Sequence, residues 1–262
     1  MIIDFHTHAF SEKIVEKAMS KLTATSGMKP YTDGTVNRLL EIMNNSGVDK
    51  SVVLPIATKP SQQRIVNSWA KEIMSDKIYA FGSVHPDAED ALEELDRIKE
   101  SGLYGVKLHP DYQDMYFDNI RYERIIDAAS ELGLITVVHA GVDPKCPEDV
   151  HCTPEMARKV LDDVKPEKLV LAHMGGNEMW DDVERYLVGQ NVYFDTGVIL
   201  NTMPQEQFLR IVHMHGADRI LFGTDSPWAD QKNFVALLEH MPLTEEEKAA
   251  IFSENAKKLL GI

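Results

Sequence analysis

Residues 2–10 read IIDFHTHAF and residues 219–228 read RILFGTDSPW, each a short apolar run that ends in side chains able to bind a metal. The same design recurs between them, in YGVKLHP (104–110), LITVVHAG (134–141) and KLVLAHMGG (168–176). Runs rich in β-branched and aromatic residues predict eight strands: Ile2 to Phe5, Lys50 to Leu54, Ile78 to Val84, Tyr104 to Leu108, Leu134 to Val138, Lys168 to Ala172, Val192 to Asp195 and Arg219 to Phe222. Every interval carries a helical pattern. Val36, Leu39, Leu40 and Met43 recur at helical spacing before Gly47, and Tyr122, Ile125, Ile126 and Ala129 do so before Gly133. Thr153-Pro154 opens another helix, and Thr244 to Glu247 has the form of a capping box.

Strict alternation of strand and helix implies parallel strands with right-handed crossovers, and eight units suit the roughly 250 residues of a closed (β/α)8 barrel. An open doubly wound sheet fits less well. No Gly-rich phosphate loop follows the first strand, and polar residues end nearly every strand instead of gathering at one switch point. The expectation is one domain over residues 1–262. The interval Phe10 to Thr35 should cap the pocket, and the loop Gly141 to Cys152 should lie on the same rim.

Composition narrows the function classes. The 262 residues are 44% hydrophobic, and 42 acidic against 27 basic residues give a net charge of −15, which disfavours nucleic acid and anionic membranes as partners. No apolar run nears the ~18 residues of a membrane span, no leader pattern opens the chain, and a cytoplasmic protein is expected. Cys146 and Cys152 are too few for a disulfide scaffold. They read best as two unpaired thiols, with a metal or an occasional disulfide as the other option.

Residues two apart in a strand share a face, so His6 and His8 should point to the barrel axis while Ile3 and Phe5 face the surrounding helices. His-x-His alone is weak evidence of a metal site. Six of the ten histidines (His6, His8, His85, His109, His139 and His173) nevertheless fall at C-terminal strand ends, where barrel enzymes build their sites. With Asp225, imidazoles at these ends suit a borderline divalent ion and leave a position for water.

The motifs DFHTH, VVHAG, LAHMGG and FGTDSPW, with NAKKLLG near the end, resemble the amidohydrolase superfamily, in particular the branch containing aminocarboxymuconate-semialdehyde and resorcylate decarboxylases. The resemblance spans essentially the whole chain and implies a TIM barrel. It also implies that His6, His8, His139 and Asp225 hold one divalent ion, Zn2+ first, with Mn2+ or Fe2+ as alternatives. His173 would then polarise or transfer a proton, with Asp225 as the second catalytic group, and the branch's habit of dimerising implies a homodimer.

Strand four departs from relatives that carry a carboxylated lysine there. Lys107 is expected either to bind a substrate carboxylate or oxyanion as an ammonium or to pair internally with Asp4 or another acid. His109 and Trp228 are candidate contacts for a small-molecule substrate, with a second ion also open to His109. Asp195 is a candidate support for His173. His85 serves its own loop or the site, whereas His213 and His215, with Met174, Met179 and Trp180, read as structural. Metal-dependent hydrolysis of a small amide, lactone or ester is the first expectation. Decarboxylation of a small unsaturated or aromatic acid is the alternative, and a non-catalytic barrel is the third.

Overall fold

The computed structural model describes residues 1–262. Eight parallel strands follow the chain: β1 (Ile3–Thr7), β2 (Lys50–Val53), β3 (Ile78–Ala80), β4 (Gly105–Leu108), β5 (Ile135–Val138), β6 (Leu169–Leu171), β7 (Tyr193–Asp195) and β8 (Ile220–Leu221). They pair in sequence order within a three-stranded and a five-stranded sheet. Two seams join the sheets into a ring. Gly82 donates to the Gly105 carbonyl and accepts from Lys107 across the first, while Phe5 donates to Phe222 and Asp225 to His6 across the second.

Local chemistry sets the helices between the strands. Thr35 accepts from the Arg38 amide at the head of helix Val36–Ser46, and Gly47 ends it at φ 73°. Thr153 and Pro154 open helix Pro154–Val164, and Thr244 with Glu247 completes the capping box. Helix Ile120–Glu131 buries Tyr122, Ile125, Ile126 and Ala129, the stripe read from sequence.

Two apolar cores result. One joins outward strand positions, such as Val53, Val106, Leu108, Leu171 and Phe222, to the helices. The other draws alternate positions from six strands, including Ile3, Phe5, Val52, Phe81, Val137, Val170 and Leu221, with the C-terminal Leu259 and Leu260, and fills the barrel interior. Gly105 is required there because a Cβ would lie 2.0 Å from the Ile135 carbonyl oxygen.

The expected facing of Ile3 and Phe5 is therefore corrected. Both point inward, and Phe5 packs edge-to-face on Phe81 with centroids 6.0 Å apart. The cause is a bulge: Asp4 pairs with Ser51 and Thr7 with Val53, so three steps along β1 match two along β2. The extra residue reverses the alternation and brings His6 into the interior directly after Phe5. Asp4 turns away to accept from Thr224 and Gln231.

No helix is long and apolar enough to cross a membrane. The Phe10 to Thr35 segment, which includes helix Val15–Ser26, is tied to the rim where Phe10 donates to Gly34 and Tyr31 to the carbonyl of Pro227.

Candidate active site

His6, His8 and Asp225 converge at the C-terminal ends of β1 and β8. Their facing atoms are close together: His6 Nε2 to His8 Nε2 is 3.2 Å, and Asp225 Oδ1 lies 3.0 Å from His8 Nε2 and 3.4 Å from His6 Nε2. The opposite nitrogens decide the tautomers. His8 Nδ1 lies 2.7 Å from the Leu54 carbonyl, which only accepts, and His6 Nδ1 lies 2.9 Å from Asp195 Oδ2. Both Nδ1 atoms therefore carry the proton, and both Nε2 lone pairs face the carboxylate. The 3.0 Å contact of His8 with Asp225 is then two acceptors meeting, not a hydrogen bond, and Asp225 Oδ1 is buried without a donor. Three converging acceptors repel one another unless a cation lies between them, so this donor set fits a divalent ion.

Burial and neighbours tune the charges. Burial lowers His6 to about 4, with Lys107 adding to the effect. Burial alone would raise Asp225; a proton or positive charge on the facing His6 and His8 lowers it to about 2, and with both Nε2 atoms as lone pairs that role falls to a bound cation. Burial lowers Lys107 to about 8, while Asp195 and Asp225 pull the other way. Lys107 lies 3.3 Å from His6 Nε2 and has no carboxylate within 4.0 Å; pairing with Asp4 is not formed.

Asp195, at the end of β7, ties the centre together. Its Oδ2 accepts from His6, and its Oδ1 accepts from the amides of His173 and Gly197 at 3.0 and 2.9 Å. Burial opposes its ionisation, but His6, His173 and Lys107 outweigh that and hold its carboxyl below the ordinary carboxylate range. Sequence placed it behind the His173 ring; it meets His173 only at the backbone amide, the His173 ring Nδ1 goes to the Gly197 carbonyl, and the imidazole that Asp195 supports is that of His6. Gly197 is needed because a Cβ would come within 2.9 Å of His6 Nδ1 and 3.2 Å of His173 Nδ1.

His173 and Asp225 both adopt left-handed backbone, at φ 60° and 62°, and Met174 does so at 55°. Such conformations cost about 1–3 kcal/mol each in non-glycine residues and persist where surroundings over-determine them. Here the His173 turn is held by Asp195 at its amide and by Trp180, whose indole N–H donates to its carbonyl at 3.2 Å.

His139, expected beside His6, His8 and Asp225, is not brought into that group. Its Nδ1 lies 3.0 Å from His173 Nε2, and its ring stacks on His109 with centroids 4.2 Å apart. His109, Asp143 and His139 instead form a second buried group, with Asp111 beside it. Neither acid was singled out from sequence as a site residue. The available signal was position, two residues after His109 and four after His139. Burial raises Asp143 to about 6.

Of the remaining candidates, Trp228 is half-buried at the rim, its amide donating to the Asp225 carbonyl. His85 accepts from the Asp87 amide within its own loop. His215 is structural: it bonds to Gly189 and the Val192 carbonyl and stacks on Phe194. His213 sits near Glu247 on the surface. Cys146 and Cys152 are both free thiols.

This arrangement defines a parallel-stranded barrel with histidines and carboxylates gathered at one end. The amidohydrolase family model matches residues 3–262, and the chain belongs to that family. Among solved structures, an uncharacterised TIM-barrel protein from Bordetella bronchiseptica is similar at TM-score 0.79 and 21% identity, covering 99% of this chain and 98% of that one. The 5-carboxyvanillate decarboxylase from Sphingomonas paucimobilis is similar at TM-score 0.74 and 18% identity, covering 100% and 99%. A dihydroxybenzoic acid decarboxylase from Polaromonas, with bound manganese and the inhibitor 2-nitroresorcinol, is similar at TM-score 0.75 and 16% identity, covering 99% and 96%. No curated protein sequence matches the chain significantly.

Proposed function

We propose that the protein is a metal-dependent, non-oxidative decarboxylase of a small aromatic or unsaturated acid. This departs from the hydrolase expected first. The observation that carries it is the buried Lys107 ammonium set directly against the His6–His8–Asp225 donor set, which offers a carboxylate a cation without a competing ion pair. The named activities among the similar folds support the same choice, because the neighbours from Sphingomonas and Polaromonas are decarboxylases of aromatic acids.

In this proposal His6, His8 and Asp225 hold the divalent ion, which when bound would neutralise and orient the acid's oxygens. Mn2+ and Zn2+ both suit nitrogen and oxygen donors, and the ion held by the Polaromonas neighbour favours testing Mn2+ first. Lys107 draws the substrate carboxylate into the barrel mouth. His173 moves the proton: its Nδ1–H is fixed on the Gly197 carbonyl, so its Nε2, in contact with His139, first takes up a proton from solvent and then delivers it to the carbon losing CO2. Asp195 keeps His6 in the tautomer that presents Nε2. Trp228 and the Phe10 to Thr35 segment wall the entrance. Residues 1–262 act as one catalytic domain, with a homodimer as the proposed assembly.

Hydrolysis keeps one specific observation in its favour, the partnerless Asp225 Oδ1, placed where a general base would take a proton from water. A panel of hydroxybenzoates, unsaturated acids, lactones and amides in D2O with Mn2+ separates the two. Release of CO2 with one deuterium on the vacated carbon is expected; acid or amine release from the lactones or amides without CO2 would replace decarboxylation by hydrolysis.

A further inference from the structure

We propose that Cys146, His151 and Asp111 form a zinc site that pins the Gly141 to Cys152 loop to the turn after β4, separate from the His6, His8 and Asp225 donors and independent of the reaction performed there. Three donor atoms meet at this point. Asp111 Oδ1 lies 3.2 Å from His151 Nδ1 and 3.4 Å from Cys146 Sγ, and Sγ lies 3.7 Å from His151 Nδ1. Atoms bound to one tetrahedral Zn2+ stand about 3.4 Å apart for a nitrogen and an oxygen, and about 3.6 Å apart where one of the two is sulfur. All three sides of the triangle fit that geometry closely.

Hydrogen bonding accounts for the cluster less well. Cys146 Sγ, His151 Nδ1 and the His151 amide, the last at 3.4 Å, all approach the single oxygen Oδ1 of Asp111, while Oδ2 of the same fully buried carboxylate has no donor. An oxygen with two lone pairs is thus offered three protons, and both nitrogen contacts lie at or beyond the long end of the N–H···O range. Lys145 does not neutralise the carboxylate, because its ammonium goes to the Asp111 backbone carbonyl and to Asp114. Geometry also rules out a nucleophile relay: thiol and carboxylate would then take opposite nitrogens of the imidazole, and here both face Nδ1. An ion replaces the protons on Sγ and Nδ1 and serves the three donors together, with the His151 proton on Nε2.

The backbone prepares the three donors. Asp143 accepts from the Lys145 amide through its carboxylate and from the Cys146 amide through its carbonyl, and the Asp149 amide donates to the Cys146 carbonyl, which turns Cys146 back toward His151. The Phe117 amide donates to the His151 carbonyl at 2.8 Å, and Tyr116 stacks on the imidazole with centroids 4.9 Å apart while its hydroxyl donates to Asp149. Asp111 stands on the short helix Pro110–Gln113, directly after His109. A thiol, an imidazole and a carboxylate suit Zn2+, and the partly exposed Cys146 and His151 leave its fourth position open to water. The ion would clamp the rim loop to the end of the strand that carries Lys107.

The test reads the thiolate and is independent of turnover. Metal-free protein is titrated with Co2+ and followed by absorption, because only a cysteine ligand gives a near-ultraviolet thiolate-to-cobalt charge-transfer band. Wild type should develop the band, and Zn2+ should abolish it by displacement. Cys146→Ser and His151→Ala should lose it, whereas Cys152→Ser and Asp225→Asn should keep it. Elemental analysis after desalting from Zn2+ should find one zinc fewer in Cys146→Ser than in wild type. Circular dichroism of the metal-free variants checks that each is folded. Absence of the band from wild type, its persistence in folded Cys146→Ser or His151→Ala, or equal zinc in wild type and Cys146→Ser overturns the site.

Discussion

Replacing Asp195 by Asn tests whether the metal centre depends on a proton placed by β7. Asp195 Oδ1 accepts two backbone N–H groups, from His173 and Gly197, while Oδ2 accepts from His6 Nδ1 at 2.9 Å. An Asn of the same shape keeps its carbonyl oxygen on the two amides and turns its NH2 toward His6. That group only donates, so His6 Nδ1 must become the acceptor and the proton moves to Nε2. The lone pair that faces His8 and Asp225 is then lost. Removing the partner behind a ligand histidine typically costs about 10–100-fold in metal affinity, or roughly 1.4–2.7 kcal/mol, and the tautomer switch places this substitution at the upper end. The assay is competitive Mn2+ and Zn2+ titration of metal-free wild type and Asp195→Asn, with far-UV circular dichroism to confirm the fold. A first-centre Kd within threefold of wild type in the folded variant would refute both the tautomer argument and the ligand role of His6.

Three further outcomes follow from the same geometry. Lys107→Met should keep the metal content but raise KM for carboxylate substrates at least tenfold; unchanged kinetics would remove Lys107 from substrate binding. His215 is buried and neutral, lowered by burial from 6.5 to about 4. Its contribution to stability is present above pH 6.5 and is lost as pH falls toward 4, by ~3 kcal/mol at most. Urea unfolding of wild type and His215→Phe at pH 7 and pH 4.5 should show a steeper acid loss in wild type, and equal losses would contradict this. Gly105→Ala should destabilise the barrel by about 3 kcal/mol, because its Cβ would meet the Ile135 carbonyl at 2.0 Å, and an unchanged melting temperature would disprove the close approach.

The eight strands were legible because each is a short buried run between capped helices, a pattern written in neighbouring residues. Thr35 and Gly47, Thr153 and Pro154, and Thr244 with Glu247 act where sequence places them, since caps act within a few residues of themselves. The convergence of His6, His8 and Asp225 was legible for a related reason: in a parallel barrel every strand end lies on one face. Strand alternation failed at β1, where the bulge between Asp4 and Thr7 depends on pairing with a strand about 45 residues away and no residue type announces it.

Sequence by itself thus determined the parallel α/β architecture, the end of the barrel where histidines and carboxylates gather, and the residue types found there. Only the tertiary structure decided which nitrogen of each histidine faces which neighbour. It set Asp195 behind His6 and left Lys107 beside His6 without a carboxylate partner. Those outcomes depend on contacts between residues 101 to 189 positions apart, as between Lys107 and His6 or His6 and Asp195. Such contacts arise only when the ring closes, and its register and strained turns set each side chain to within a hydrogen-bond length.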